Sequence, residues 1–192
     1  MKNFAVLASG KGSNLQAILN AIKKKKIKAN LNVVVSDNRN ALALKRAIKE
    51  KIATVVVDPK SFKSRKDMDK AIVKELKSFG IDFVVLAGYM RILSPYFVKA
   101  YKNKILNIHP ALLPSFKGAH AIRDAFRYGV KTTGVTVHFV DEKVDHGPVI
   151  AQEPVQVRNK ETLKSLEARI HKVEHKLYPE VISRFAKGHL NE

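Results

Sequence analysis

Through the first hundred residues, short aliphatic and β-branched runs alternate with segments whose apolar residues recur at helical spacing. That alternation confines the chain to an α/β fold with a parallel sheet built from βαβ units. The runs are Asn3–Ala8, Leu31–Ser36, Thr54–Val57, Asp82–Leu86 and Ile105–Ile108. Between them, Leu15, Ile18, Leu19 and Ile22 fall at i, i+3, i+4 and i+7, and Met68, Ile72, Leu76 and Phe79 mark a second amphipathic helix. After Pro114 the pattern changes. Thr133–Val140 alternates like a half-exposed strand, while Val149–Val157 carries Pro154 and reads as an edge strand, so an antiparallel pair is expected there. A long C-terminal helix is expected to open at Asn159 to Glu161, to run through Leu163, Leu166, Ile170, Val173 and Leu177, and to kink at Pro179.

A chain of 192 residues can bury one core without staples, so a single domain is expected. It has no Cys, which excludes a disulfide framework, a thiolate nucleophile and a Cys-ligated zinc, and points to a reducing, cytoplasmic setting. The run Phe4 to Ala8 is too short for the apolar region of a signal peptide, and no run reaches the roughly 18 apolar residues of a membrane span. Lys and Arg outnumber Asp and Glu by 36 to 17, giving a formal charge of +19. Much of the excess lies on expected solvent faces, as in Lys23 to Lys26, Lys28, Lys45 and Lys49, with few aromatic residues and no Trp to stack on bases. Anionic small substrates are therefore expected as partners, without specific nucleic acid and without a membrane.

The segment Ser9-Gly10-Lys11-Gly12-Ser13-Asn14-Leu15-Gln16 leaves the first strand and opens the first helix. Its glycines permit a tight turn, and a helix N-terminus offers unpaired N–H groups and a positive dipole end to a phosphate. A Walker loop fails for want of Gly-Lys-Ser/Thr at the required spacing, and a dinucleotide fingerprint fails because Leu15 replaces its third glycine. Asp37 keeps a ribose-binding reading open, and a plain turn capped by Ser13 or Asn14 is a further alternative. A substrate with a single phosphate is favoured.

Asn107-Ile108-His109-Pro110 ends the fifth run, where side chains two apart share a face and where ligands collect in open α/β sheets. The apolar, irregular Ala111–Gly118 segment is suited to walling a site, and Asp145 lies in a later turn. Alone, His109 is more readily a satisfied structural histidine. If the three residues meet, they suit acyl transfer to an amine. The amide serves as oxyanion donor and the histidine as proton carrier, with a carboxylate to raise the histidine pKa and fix the ring.

These motifs carry a resemblance. Ser9-Gly10-x-Gly12-Ser13-Asn14-Leu15-Gln16, Leu86-Ala87-Gly88-Tyr89-Met90-Arg91-Ile92-Leu93 and Asn107-Ile108-His109-Pro110-x-Leu112-Leu113-Pro114 occur in order with three later matches. Those are Gly134-x-Thr136-Val137-His138, Asp145-x-Gly147-Pro148 and Glu174-His175-x-x-Tyr178-Pro179. As a set they resemble the glycinamide ribonucleotide formyltransferases, the folate-dependent enzymes of purine synthesis, over nearly the whole chain. The resemblance implies a formyltransferase-type fold: a Rossmann-like parallel sheet in the N-terminal half, antiparallel strands extending it, and a long C-terminal helix. It implies one domain over 1–192, with a mononucleotide-binding half at 1–100 and a catalytic and folate half at 101–192. It further implies that Gly12, Ser13 and Asn14 cradle the ribonucleotide phosphate and that Glu174 lies near the glycinamide end. Met90, Arg91, Ile92 and Leu93 would line the folate site with Arg65 nearby, and Asn107, His109 and Asp145 would form the catalytic trio, Asn107 also reaching the folate. The co-substrate would be 10-formyltetrahydrofolate, with no metal, and the protein a monomer or homodimer.

Several rivals share features with this reading. His171-Lys172-Val173-Glu174-His175 matches an inverted zinc-protease pattern, but no third ligand is evident and His171 is expected on a solvated helix face. Formyltetrahydrofolate hydrolases are similar around the Asn-x-His and Asp-x-Gly-Pro segments, although water needs no phosphate cradle. A methionyl-tRNA formyltransferase suits the basic charge but is expected to carry a further RNA-binding domain. A non-catalytic nucleotide-binding module would use the glycine loop and leave the Asn-x-His idle.

Overall fold

The computed structural model describes residues 1–190. The strands are β1 (Asn3–Leu7), β2 (Asn30–Ser36), β3 (Ala53–Val56), β4 (Phe83–Leu86), β5 (Ile105–His109), β6 (Thr132–Phe139) and β7 (Val149–Gln156). The α-helices are α1 (Ser13–Lys23), α2 (Leu42–Lys49), α3 (Arg65–Ser78), α4 (Pro95–Ala100), α5 (Ala121–Tyr128) and α6 (Leu163–Ala186). One sheet holds every strand in the order β3-β2-β1-β4-β5-β6-β7. β1 to β5 pair in parallel, and β6 and β7 add antiparallel strands on one side.

The strand residues divide by period two between two cores. Phe4, Val6, Val34, Val85 and Leu106 meet α1, α2 and α6 on one face, while Ala5, Leu7, Val33, Val84 and Ile105 meet α3 and α4 on the other. Both faces of the central strands are buried, which is why their sequences read as continuous apolar runs. Ser64 caps α3 by accepting the Asp67 N–H at 3.1 Å, and Thr162 caps α6 by accepting the Ser165 N–H at 3.2 Å. α6 therefore opens after the expected Asn159–Glu161, and it continues through Pro179. The Tyr178 hydroxyl, fully buried, lies 2.9 Å from the carbonyl oxygens of both Leu86 and Leu106, tying α6 to β4 and β5.

β6 corrects one expectation. Its alternation suggested a half-exposed strand, yet every residue from Thr133 to Phe139 is buried. Val135 and Val137 face the α6 core, while Thr136 on the other face accepts the Leu113 N–H at 3.0 Å and donates to Ala111 O at 2.7 Å. Thr136 thus holds the 111–118 loop rather than meeting water.

β1 and β4 are neighbours, yet β1 continues through α1 to β2 on its opposite side. Loops leaving the carboxyl ends of β1 and β4 thus diverge, opening a crevice at the switch point.

Candidate active site

A cavity of about 720 Å³ fills that crevice. Its walls come from both halves of the chain: the turn after β1, the loop after β4, the end of β5, the loop after β6 and one face of α6.

In the first turn, Gly12 rather than Ser13 or Asn14 is the N-cap of α1, with φ 68° and no side-chain cap. A Cβ there would lie 2.8 Å from Ala43 Cα, so both backbone sign and space require glycine. The first-turn N–H groups of α1 border the cavity with no capping side chain and no acidic residue among them, as suits an anion. Asn14 turns its amide instead toward α6, donating to Glu174 Oε2 at 3.2 Å.

The loop after β4 carries Met90, Arg91, Ile92 and Leu93 along the cavity. Leu93 is buried, but Met90 and Ile92 are 71% and 54% exposed, an apolar pair displayed at the rim. Arg91 Nε pairs with Asp37 Oδ2 at 2.7 Å, so the carboxylate considered for a ribose is engaged by this loop. Arg65, the first residue of α3, is exposed and does not line the cavity.

Asn107, His109 and Asp145 come together on the cavity, where the strand spacing had anticipated only the shared face of Asn107 and His109. Asp145 Oδ2 lies 3.4 Å from His109 Nδ1 and accepts the Gly118 N–H at 2.8 Å. His109 Nε2 lies 2.8 Å from the Phe116 carbonyl. Both ring nitrogens thus face acceptors, which favours a second proton on the ring. Burial opposes this more strongly and holds the His109 pKa below its ordinary value, against the upward pull of Asp145 and Phe116. The expected net rise is therefore reversed, because His109 is only 4% exposed. Asp145 itself titrates below the usual carboxylate range: burial raises it, but His138, the Gly118 N–H and His109 together outweigh that.

His138 completes the cluster; in the sequence it stands only as the last residue of the Gly134-x-Thr136-Val137-His138 match, with no role attached to it. It pairs with Asn107 across β5 and β6, is buried, and places Nε2 3.1 Å from Asn107 Nδ2 and 3.7 Å from Asp145 Oδ1. Its Nδ1 lies 2.7 Å from Phe139 O, so a proton there leaves Nε2 to accept from Asn107 and orient the amide. Only the antiparallel register, invisible in a single sequence, brings the two residues together.

On α6, Glu174 is 4% exposed and accepts from Asn14 and from His171 Nδ1, the latter at 2.8 Å. His171 is therefore on the cavity wall, not simply on a solvated face, and the hydrogen bond to Glu174 raises its pKa. His175 stacks against His171 with ring centroids 6.4 Å apart. Among the described residues no group of three His, Cys, Asp or Glu side chains is arranged to hold a metal ion.

The arrangement offers an anion-binding turn, an apolar rim and a buried amide–histidine–carboxylate cluster around one space. It is equipped to bring a phosphorylated amine to an acyl donor and to manage the oxyanion and proton of the transfer.

A Formyl transferase family model matches residues 2–182. The chain is 44% identical to the phosphoribosylglycinamide formyltransferase of Bacillus subtilis over 184 residues, 96% of this chain and 94% of that protein. It is 45% identical to the Escherichia coli protein of the same name over 188 residues, covering 98% and 89%. The crystal structure of glycinamide ribonucleotide transformylase 1 from Symbiobacterium toebii superposes with a TM-score of 0.97 at 44% identity, covering 100% of this chain and 91% of that one.

Proposed function

The chain belongs to the formyl transferase family, and on that premise we propose that it transfers the formyl group of 10-formyltetrahydrofolate to the amine of 5-phosphoribosylglycinamide in de novo purine biosynthesis. The observation that carries this reading is the meeting of Asn107, His109 and Asp145 between an uncapped glycine turn and an exposed apolar loop on one cavity. Gly12, Ser13 and Asn14 receive the ribonucleotide phosphate, and Glu174 the glycinamide end. Met90 and Ile92 offer apolar surface to the folate ring, while the main chain of the same loop offers hydrogen-bonding groups. Arg65 stands at a distance from the cavity and is assigned at most to the outer end of the folate.

Direct attack requires no covalent enzyme intermediate. The amine lone pair forms a bond to the formyl carbon as the carbonyl electron pair moves to oxygen. Asn107, oriented by His138, donates to the oxyanion. His109, held neutral by burial, takes the proton that the amine sheds. The ring becomes cationic beside Asp145, which stabilises it. As the oxyanion pair returns to re-form the carbonyl, the carbon–N10 bond breaks, its electron pair leaves with N10, and the same proton is delivered there from His109. Reaching the substrate requires His109 Nε2 to exchange the Phe116 carbonyl for it.

No described helix is long and apolar enough to cross a membrane. Small-molecule substrates, no specific nucleic acid, a cytoplasmic site of action, and a monomer or homodimer complete the proposal. Incubating the purified protein with 10-formyltetrahydrofolate, with and without the ribonucleotide, tests it. Formylated ribonucleotide appearing in step with deformylated folate is expected. Folate consumption at the same rate without the ribonucleotide overturns the reading in favour of a hydrolase.

A further inference from the structure

We propose that Ser9 is a positioning residue that couples the two substrate subsites, so that ribonucleotide bound at the Gly12 turn tightens folate binding at Met90–Leu93. The proposal rests on the subsite assignment above.

Ser9 stands where β1 enters the glycine turn. Its backbone N–H donates to Gly88 O at 3.0 Å, and its Oγ accepts the Met90 N–H at 2.9 Å. In the other direction the chain passes to Gly10, whose carbonyl accepts the Ala43 N–H at 3.1 Å, and then to the Gly12 cap. A residue covalently continuous with the phosphate turn thus makes two hydrogen bonds to the folate loop. Ser9 also borders the cavity, and a hydroxyl that accepts from Met90 retains its own proton to donate.

The same loop has a second fastening at Arg91–Asp37. Asp37 follows β2 and reaches the glycine turn only through the stretch that leads to Ala43, so it links the subsites less directly than Ser9 does. Met90 and Ile92, between and beside these fastenings, are more than half exposed. Their placement therefore depends on backbone bonds more than on packing. Ordering one end of the Ser9 link by ligand leaves less freedom to be lost when the other end binds, which is positive coupling without a large movement. Such coupling is reciprocal by thermodynamic necessity.

The test measures Kd for tetrahydrofolate, which has no formyl group to transfer, with and without saturating 5-phosphoribosylglycinamide, and then the converse pair. In the wild type each ligand is expected to tighten the other by the same factor, about 3- to 10-fold, the scale of one hydrogen bond. In Ser9→Ala the factor falls to about one. Ser9→Thr keeps the hydroxyl and restores it. Asp37→Asn weakens folate binding and lowers the factor less than Ser9→Ala does. Should Ser9→Ala unfold, Ser9→Cys keeps the size with a weak acceptor and is expected to lose most of the factor. Both ligands binding the wild type with a factor of one, or a full factor in a folded Ser9→Ala, overturns the proposal. A wild type that binds neither ligand removes the subsite assignment itself, and the proposal with it.

Discussion

Replacing Asp145 with Asn removes a charge beside His109 while keeping an oxygen that can accept the Gly118 N–H. At 3.4 Å and an effective dielectric of about 20, a carboxylate and an imidazolium attract by roughly 5 kcal/mol, an upper bound because the amide retains a dipole and water can respond. Opposite charges at this range typically move a pKa by about one to three units, or about 1.4 to 4 kcal/mol in favour of the charged ring. If His109 becomes cationic as the amine attacks, kcat in Asp145→Asn falls about 10- to 1,000-fold, with little change in KM. The sign of the pH effect follows from the lowered His109 pKa. The neutral base is lost as pH falls through that value, so kcat/KM, which reports the free protein, rises on an acid limb below 6.5 and then levels. Removing the upward pull of Asp145 shifts the limb to still lower pH while its plateau drops. Turnover from about pH 5 to 8, with NMR titration of His109 in both proteins, checks this. Near wild-type turnover, or a His109 titration that moves upward, refutes the coupling.

Gly12→Val places a branched side chain against Ala43 at positive φ and closes the anion turn. The ribonucleotide KM is expected to rise roughly 10- to 100-fold, on the scale of a hydrogen bond to a charged group, while folate affinity in a binary titration hardly changes. Gly134→Ala directs a Cβ into Glu153 O and to 2.6 Å from Leu112 Cδ2, so stability in urea is expected to fall by about 1–3 kcal/mol. Replacing Lys23 to Lys26 with Gln leaves kcat unchanged and lowers kcat/KM only at low salt. High-affinity RNA binding that survives physiological salt in the wild type contradicts that expectation.

The central sheet was legible because buried parallel strands have no polar face: β1, β2, β4 and β5 lie within a residue of their apolar runs. α2 was not legible. Lys45, Arg46 and Lys49 make it polar, and its N-cap is Ala41, which makes no side-chain cap bond. The Asn107–His109 spacing conveyed a shared face because a strand repeats every two residues, and Asp145 entered by its motif. His138 and Ser9 stayed hidden because their roles depend on which strand lies beside which. The His109 pKa went astray for a related reason, since burial belongs to the assembled core and not to the neighbouring carboxylate.

Glu174 and Tyr178 stand one helical turn apart on α6, the first at the cavity and the second clasped by carbonyls of β4 and β5. The helix therefore works as a gauge whose zero mark is Tyr178. A residue added in the loop before Thr162 leaves the reading unchanged, but one added between the two swings Glu174, and His171 with it, by roughly 100° and away from Asn14. Length variation is thus tolerable in the loop that leads into α6 and forbidden along the helix from Leu166 to Tyr178, where buried residues and the Glu174 partners share one fixed rotation.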